Sequence, residues 1–153
     1  MGDEGTLHWE DFPVGRVREL GPAPPVTREA IVEFARQFDP QPFHVDEDAA
    51  RSSPYGGLIA SGWHTCGIAM RMYYDGILHR AASQGSPGID KLRWLKPVRP
   101  GDVLRARIEV LEARPSESKP HLGLVRNRWQ VLNQASELVL EMEGWGMFRR
   151  RGA

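Results

Sequence analysis

The sequence predicts an α+β fold in which an antiparallel sheet wraps around one long central helix. Three observations carry this. Gly62 to Gly76 is apolar around much of its circumference and holds small residues such as Gly67 and Ala69, the composition of a helix covered on more than one side. From Ile89 onward the texture changes to strands: Leu104, Ala106, Ile108 and Val110 alternate with Arg105, Arg107 and Glu109. The strands follow one another through turn residues such as Asn133-Gln134-Ala135-Ser136, which is the order of a meander and not of βαβ units.

Taken in order, the stretch from Trp9 to Leu20 is interrupted by Pro13 and Gly15, so an irregular arm leading into a short edge strand is expected. Pro22, Pro24 and Pro25 make a stiff connector. Thr27 stands as an N-cap, Glu29 lies in the first turn, and Ile31, Phe34, Ala35 and Phe38 recur on one face. That helix must stop at Asp39, because Pro40 follows. Pro40 and Pro42 predict a stiff, extended loop through His44. Asp46 can cap a short turn that Pro54 ends, and the long helix then begins after Ser61. Lys91 to Val98, Leu104 to Val110, Leu122 to Leu132 and Leu138 to Met142 read as strands, with Val139 breaking the alternation of the last.

At 153 residues the chain fits one domain, 1–153, with 1–8 and 149–153 expected as flexible tails. Twenty basic and twenty acidic residues cancel, which argues against a nucleic-acid partner. The opening MGDEGTLHWEDF lacks an apolar core, and no window approaches the roughly 18 apolar residues of a membrane span. One cysteine, Cys66, allows no internal disulfide, so a cytoplasmic protein with no membrane partner is expected.

The chemistry gathers between Phe38 and Met70. Asp39 and His44 are held in a fixed relation by the intervening prolines, and an acid–base pair works only when both groups reach one small volume. The helix start at Ser61-Gly62 then turns unpaired N–H groups outward. A paired acid and histidine beside a helix start suggests acid–base chemistry next to an oxyanion. His44, Asp46 and Asp48 also invite a metal reading, but no second histidine or cysteine stands at ligand spacing, so no metal is expected. No P-loop and no G-x-G-x-x-G is present, so no nucleotide cofactor is expected.

The runs D-P-Q-P-F-H and Y-G-G-L-I-A-S-G resemble the hydratase motif of MaoC-like dehydratases and (R)-specific enoyl-CoA hydratases, roughly D-x-N-P-x-H followed by an apolar run into H-G or S-G. K-P-V-R-P-G-D at Lys96 to Asp102 resembles that family's P-V-x-x-G-D. The resemblance implies the hotdog fold, a homodimer, and an acyl-CoA or acyl-carrier thioester as substrate with no cofactor. It implies that Asp39 and His44 activate the water that adds to the β-carbon of a trans-2-enoyl thioester, giving the (R)-3-hydroxyacyl product. The Gly62 N–H is then expected to hold the charge on the thioester oxygen. Gln41 replaces the usual asparagine, and Ser61 stands where many relatives carry histidine; Ser61 as an N-cap is the plainer reading. Trp63 is expected to line the acyl pocket or the dimer seam, and Tyr55 the pocket mouth. Trp63, Tyr73 and Tyr74 point to a bulky acyl chain, and Lys91, Arg93 and Lys96 are candidates for the phosphates of CoA. His64 reads as a packed helix histidine, and Cys66 as an inert buried thiol. A hotdog thioesterase, or a binding module without chemistry, is the alternative function.

Overall fold

The computed structural model describes residues 5–153. The chain runs from a 3₁₀ turn at Trp9–Asp11 into β1 (Val17–Leu20), then α1 (Arg28–Phe38), α2 (Pro42–Val45), α3 (Glu47–Arg51) and the long α4 (Gly62–Gly76). A 3₁₀ turn at Leu78–Arg80 precedes β2 (Ile89–Trp94), β3 (Arg105–Pro115), β4 (Leu122–Leu132) and β5 (Leu138–Arg149). The five strands form one antiparallel sheet in the order β1-β3-β4-β5-β2, so the two short strands are its edges.

The sheet wraps α4 because alternate residues of its long strands are apolar. Ala106, Ile108 and Val110 of β3, Val125, Trp129 and Val131 of β4, and Leu140 and Met142 of β5 are all buried. Against them α4 buries Ala69, Met72 and Tyr73, and the Tyr73 ring meets Trp129 edge-on with centroids 4.4 Å apart. The opposite face is charged and laced across strands. Arg126 reaches Glu112 at 3.2 Å and Glu143 at 2.9 Å, while Arg128 reaches Glu109 at 2.9 Å. Among the described residues no helix is long and apolar enough to cross a membrane.

α1 is built as its sequence predicts, with the Thr27 hydroxyl accepting the Ala30 N–H at 3.1 Å. Its apolar face is narrower than the spacing suggests: Ile31 and Ala35 are buried, whereas Phe38 at the last turn is 69% exposed. The extended loop expected through His44 is instead the helical turn α2. Proline bars a continuing helix but suits the first position of a new one, where its missing N–H would have no partner; Pro42 takes that place after Gln41 at φ −65°, ψ 143°. α3 follows the expectation, the Asp46 carboxylate accepting the Asp48 and Ala49 N–H groups.

α4 matches its expected bounds but not its expected burial. Within the chain one side packs on the sheet, while Trp63, Met70 and Tyr74 on the other are 58%, 48% and 50% exposed. β2 ends at Trp94, short of Val98, and Val98 is buried in the segment beyond, its carbonyl accepting the Ala60 N–H at 2.8 Å. Of the tails expected to be flexible, residues 1–4 lie outside the described residues, and several of the others make contacts. Leu7 bonds to Arg80 and Ala82, and Arg149 closes β5. The Arg151 N–H bonds to the Glu10 carboxylate and its guanidinium to Asp11.

Candidate active site

α1 ends where the chain must turn. Asp39 is its C-cap, φ −157° and ψ 68°, with its own N–H held by the Ala35 carbonyl at 2.8 Å. Three residues on, α2 swings His44 back beneath it, 4% exposed. The His44 Nδ1 lies 2.7 Å from the Ile59 carbonyl oxygen. A carbonyl only accepts, so Nδ1 carries the proton and a neutral ring leaves Nε2 bare. That Nε2 lies 3.3 Å from Asp39 Oδ2. Both groups thus present an acceptor to the same small volume, where a donor such as water can be held between them.

Asp39 is itself gripped from both sides. Gln41 Nε2 donates to Oδ1 at 2.7 Å and Ser61 Oγ donates to Oδ2 at 2.8 Å. Burial alone would raise its pKa, but the hydrogen bonds from Gln41 and Ser61 and the neighbouring His44 outweigh burial, so the carboxyl sits below its ordinary 3.8. Ser61 also fills the role of N-cap, its oxygen accepting the Trp63 N–H at 3.3 Å. One hydroxyl therefore links the carboxylate to the start of α4.

The Gly62 N–H opens that helix and takes no acceptor among the described residues. Its carbonyl is held by Trp94 Nε1 at 2.8 Å, and the indole lies so close over the glycine that a Cβ would stand 2.4 Å from it. Glycine is thus required here by packing as well as by any ligand that approaches the backbone. Trp63 leans on the same indole, ring centroids 5.1 Å apart. Together Asp39, His44, Gly62, Trp63, Trp94 and Pro97 border a cavity of about 480 Å³, and Gln41 and Tyr55 also line it.

Other residues singled out in the sequence fall elsewhere. His64 stacks on Phe34 at 4.9 Å; burial lowers its pKa, and its Nδ1 is enclosed without a partner among the described residues. Asp46 is spent as a cap, and Asp48 pairs with Arg51 at 2.7 Å. Tyr73 and Tyr74 point apart, the first into the core and the second outward. Tyr73 lines a second, apolar cavity of about 380 Å³ with Cys66, Met70, Trp129, Met142 and Phe148. Burial pushes the Cys66 thiol up, which keeps it protonated and weakly reactive. Of the three candidate cations, Lys96 lines the first cavity and pairs with Glu137, whereas Lys91 pairs with Glu143 at 3.5 Å and Arg93 stands opposite Glu141. Trp94 escaped the sequence reading, since it lies 32 residues from the glycine it covers and no local pattern joins them.

Residues 11–131 match the family described as MaoC like domain, a span that includes Asp39, His44, Ser61 and Gly62. The chain belongs to this family. A MaoC-like dehydratase from Rhodospirillum rubrum superposes with a TM-score of 0.87 at 41% identity, over 96% of this chain and 99% of that one. Among curated relatives, this MaoC-like chain is 30% identical to YdeM of Bacillus subtilis, an uncharacterized protein, over 88% of this chain and 93% of that one. It is also 30% identical to the 3-hydroxybutyryl-CoA dehydratase of Methylorubrum extorquens, over 77% and 73% of the two chains. In fold alone, at 22% identity, it matches Mycobacterium tuberculosis Rv0216, which has a double hotdog fold, with a TM-score of 0.75 over 97% of this chain and 46% of that one. The MaoC-like chain is one hotdog unit, its sheet wrapped on α4.

Proposed function

We propose that the protein is a hydro-lyase that reversibly adds water to a trans-2-enoyl thioester of CoA or a carrier protein, giving the (R)-3-hydroxyacyl thioester. The observation that carries this is the Asp39–His44 pair, with Nε2 set 3.3 Å from the carboxylate by a tether on the far side of the ring. Water held by both groups gives up a proton to the pair as its oxygen bonds to the β-carbon. The electron pair of the double bond moves onto the thioester oxygen, where the Gly62 N–H at the start of α4 receives the charge. Return of a proton to the α-carbon completes the addition, and the same steps reversed are dehydration. Lys96, at the wall of the cavity, offers a charge for the phosphates of the carrier.

The reading includes a second copy of the chain. Trp63, Met70 and Tyr74 make an exposed apolar stripe along α4, and the edge strand β2 with the residue beyond it exposes Ile89, Trp94 and Leu95. Sedimentation showing only monomer at assay concentration would remove this part.

The test follows loss of enoyl-thioester absorbance over a panel of trans-2-enoyl-CoAs, with a thiol trap alongside. Absorbance loss without thiol release, abolished in Asp39→Asn and in His44→Ala while both still melt cooperatively, supports the hydro-lyase. Thiol release assigns a thioesterase instead, and silence across the panel means an unusual substrate or an idle site, which ligand-binding assays then separate.

A further inference from the structure

Gln41 stands where the family's pattern has asparagine, and Ser61 keeps the serine of that pattern's S-G step. They lie twenty residues apart and meet on one side chain. Gln41 donates to one oxygen of Asp39 at 2.7 Å and Ser61 to the other at 2.8 Å. We infer that Gln41 and Ser61 are a matched pair of positioning residues that clamp Asp39, fixing the plane of its carboxylate against His44. This deepens the hydration reading and rests on it only for the kinetic part of its test.

The dimensions explain why these two side chains act together. Removing one methylene from Gln41 withdraws its amide by about 1.5 Å, the length of a C–C bond, and a 2.7 Å contact becomes one beyond hydrogen-bond range. Asparagine here would leave Oδ1 without this donor. Ser61 is fully buried, so its place holds a small hydroxyl and not an imidazole unless its surroundings repack. The hydroxyl has one proton, given to Asp39, and lone pairs, one of which accepts the Trp63 N–H. Ser61 therefore sets the distance between the carboxylate and the helix start that presents Gly62. The Gln41 amide, spent on Asp39, is not free to hold substrate, which revises its expected role from binding to positioning.

The clamp also bears on charge. Both donors favour the ionised carboxylate, and ionisation is what lets Asp39 accept a proton from water or from the imidazolium. The titratable groups that share its cavity are His44 on α2, Tyr55 beyond α3 and Lys96 beyond β2, the last paired with Glu137. The neighbouring wall from β2 is Trp94, which does not titrate.

The test is an NMR titration of the Asp39 carboxyl and the His44 ring in the full chain, comparing wild type with Gln41→Leu, Gln41→Asn, Ser61→Ala and the Gln41→Leu/Ser61→Ala double variant. The clamp requires the Asp39 midpoint to rise in each single variant and to rise furthest in the double. Gln41→Asn should fall closer to Gln41→Leu than to wild type. In turnover, kcat should fall about ten- to a hundredfold with KM nearly unchanged, as expected when a catalytic group is misplaced by about 1 Å. The acid limb of the rate profile should move upward with the midpoint. An Asp39 midpoint in Gln41→Leu and Ser61→Ala equal to that of wild type overturns the clamp, whatever the rates do. If no enoyl thioester is turned over, the titration still decides the clamp, and only the hydration reading falls.

Discussion

Gly62→Ala separates the two demands made on the start of α4. The added Cβ would stand 2.4, 2.6 and 2.7 Å from three atoms of the Trp94 indole, closer than real contacts allow. The indole is rigid, so it must shift as a body, and its 2.8 Å bond to the Gly62 carbonyl breaks as it does. Overpacking costs about 1–3 kcal/mol and the lost hydrogen bond about 0.5–1.5 kcal/mol. Trp94 is 44% exposed and can swing toward solvent, which favours the lower part of that range, about 2 kcal/mol. For a chain of this size that lowers Tm by roughly 4–8 °C. Thermal melts of Gly62→Ala, Trp94→Ala and the double variant form a cycle. Alanine at 94 removes the obstacle, so the penalty of Gly62→Ala should vanish in that background. Should the penalty persist at full size without the indole, the steric argument is wrong. Activity is read on the same four proteins. If stability returns in the double variant while kcat stays well below that of Trp94→Ala, the added methyl blocks approach of a ligand to the backbone apart from packing.

Three further outcomes are expected. Lowering pH should destabilise the fold in two windows. His64, whose folded pKa is pushed down by burial from 6.5, binds protons more readily when unfolded, so its cost begins below that value. Asp39, also depressed, contributes stability that is whole above 3.8 and is lost as pH falls through its folded value. Melting temperatures from pH 8 to pH 5 should therefore decline in wild type and less so in His64→Phe, which keeps a ring against Phe34. Gly123→Ala should cost about 1–3 kcal/mol, because its Cβ would lie 2.2 Å from the Trp9 indole, which is pinned by a 3.2 Å bond to the Leu124 carbonyl; urea denaturation reads this. Thr27→Ala should cost about 1 kcal/mol by removing the cap of α1, measured the same way.

What was legible in the sequence was what local chemistry determines. Thr27, Asp46 and Ser61 announced their helices because a cap acts within three residues. β4 was readable as a strand, and within it alternate residues from Gly123 to Val131 are buried. Asp39 and His44 stood out through the prolines around them, though the same prolines concealed α2, since Pro42 can start a turn as readily as stop one. What could not be read depends on distant partners. The Ile59 carbonyl that fixes the His44 ring is fifteen residues away, and Trp94 reaches Gly62 across thirty-two. The exposed side of α4 misled for a related reason: composition shows that a surface is apolar but not which molecule covers it.

The engagement of the two ends has a topological consequence. Arg151 reaches Glu10 and Asp11 across 141 and 140 residues of chain, so the described ends lie side by side. A short linker could join them, and loop closure costs only about 0.6 kcal/mol for each doubling of linker length. New ends could then be opened in the exposed turn at 117–121 between β3 and β4. In such a circular permutant Asp39, Gln41, His44, Ser61, Gly62 and Trp94 would remain on one uninterrupted run of chain. The segment that bears these residues would move to the middle of the polypeptide, and a permutant that folds would separate the order of the chain from the geometry of the site.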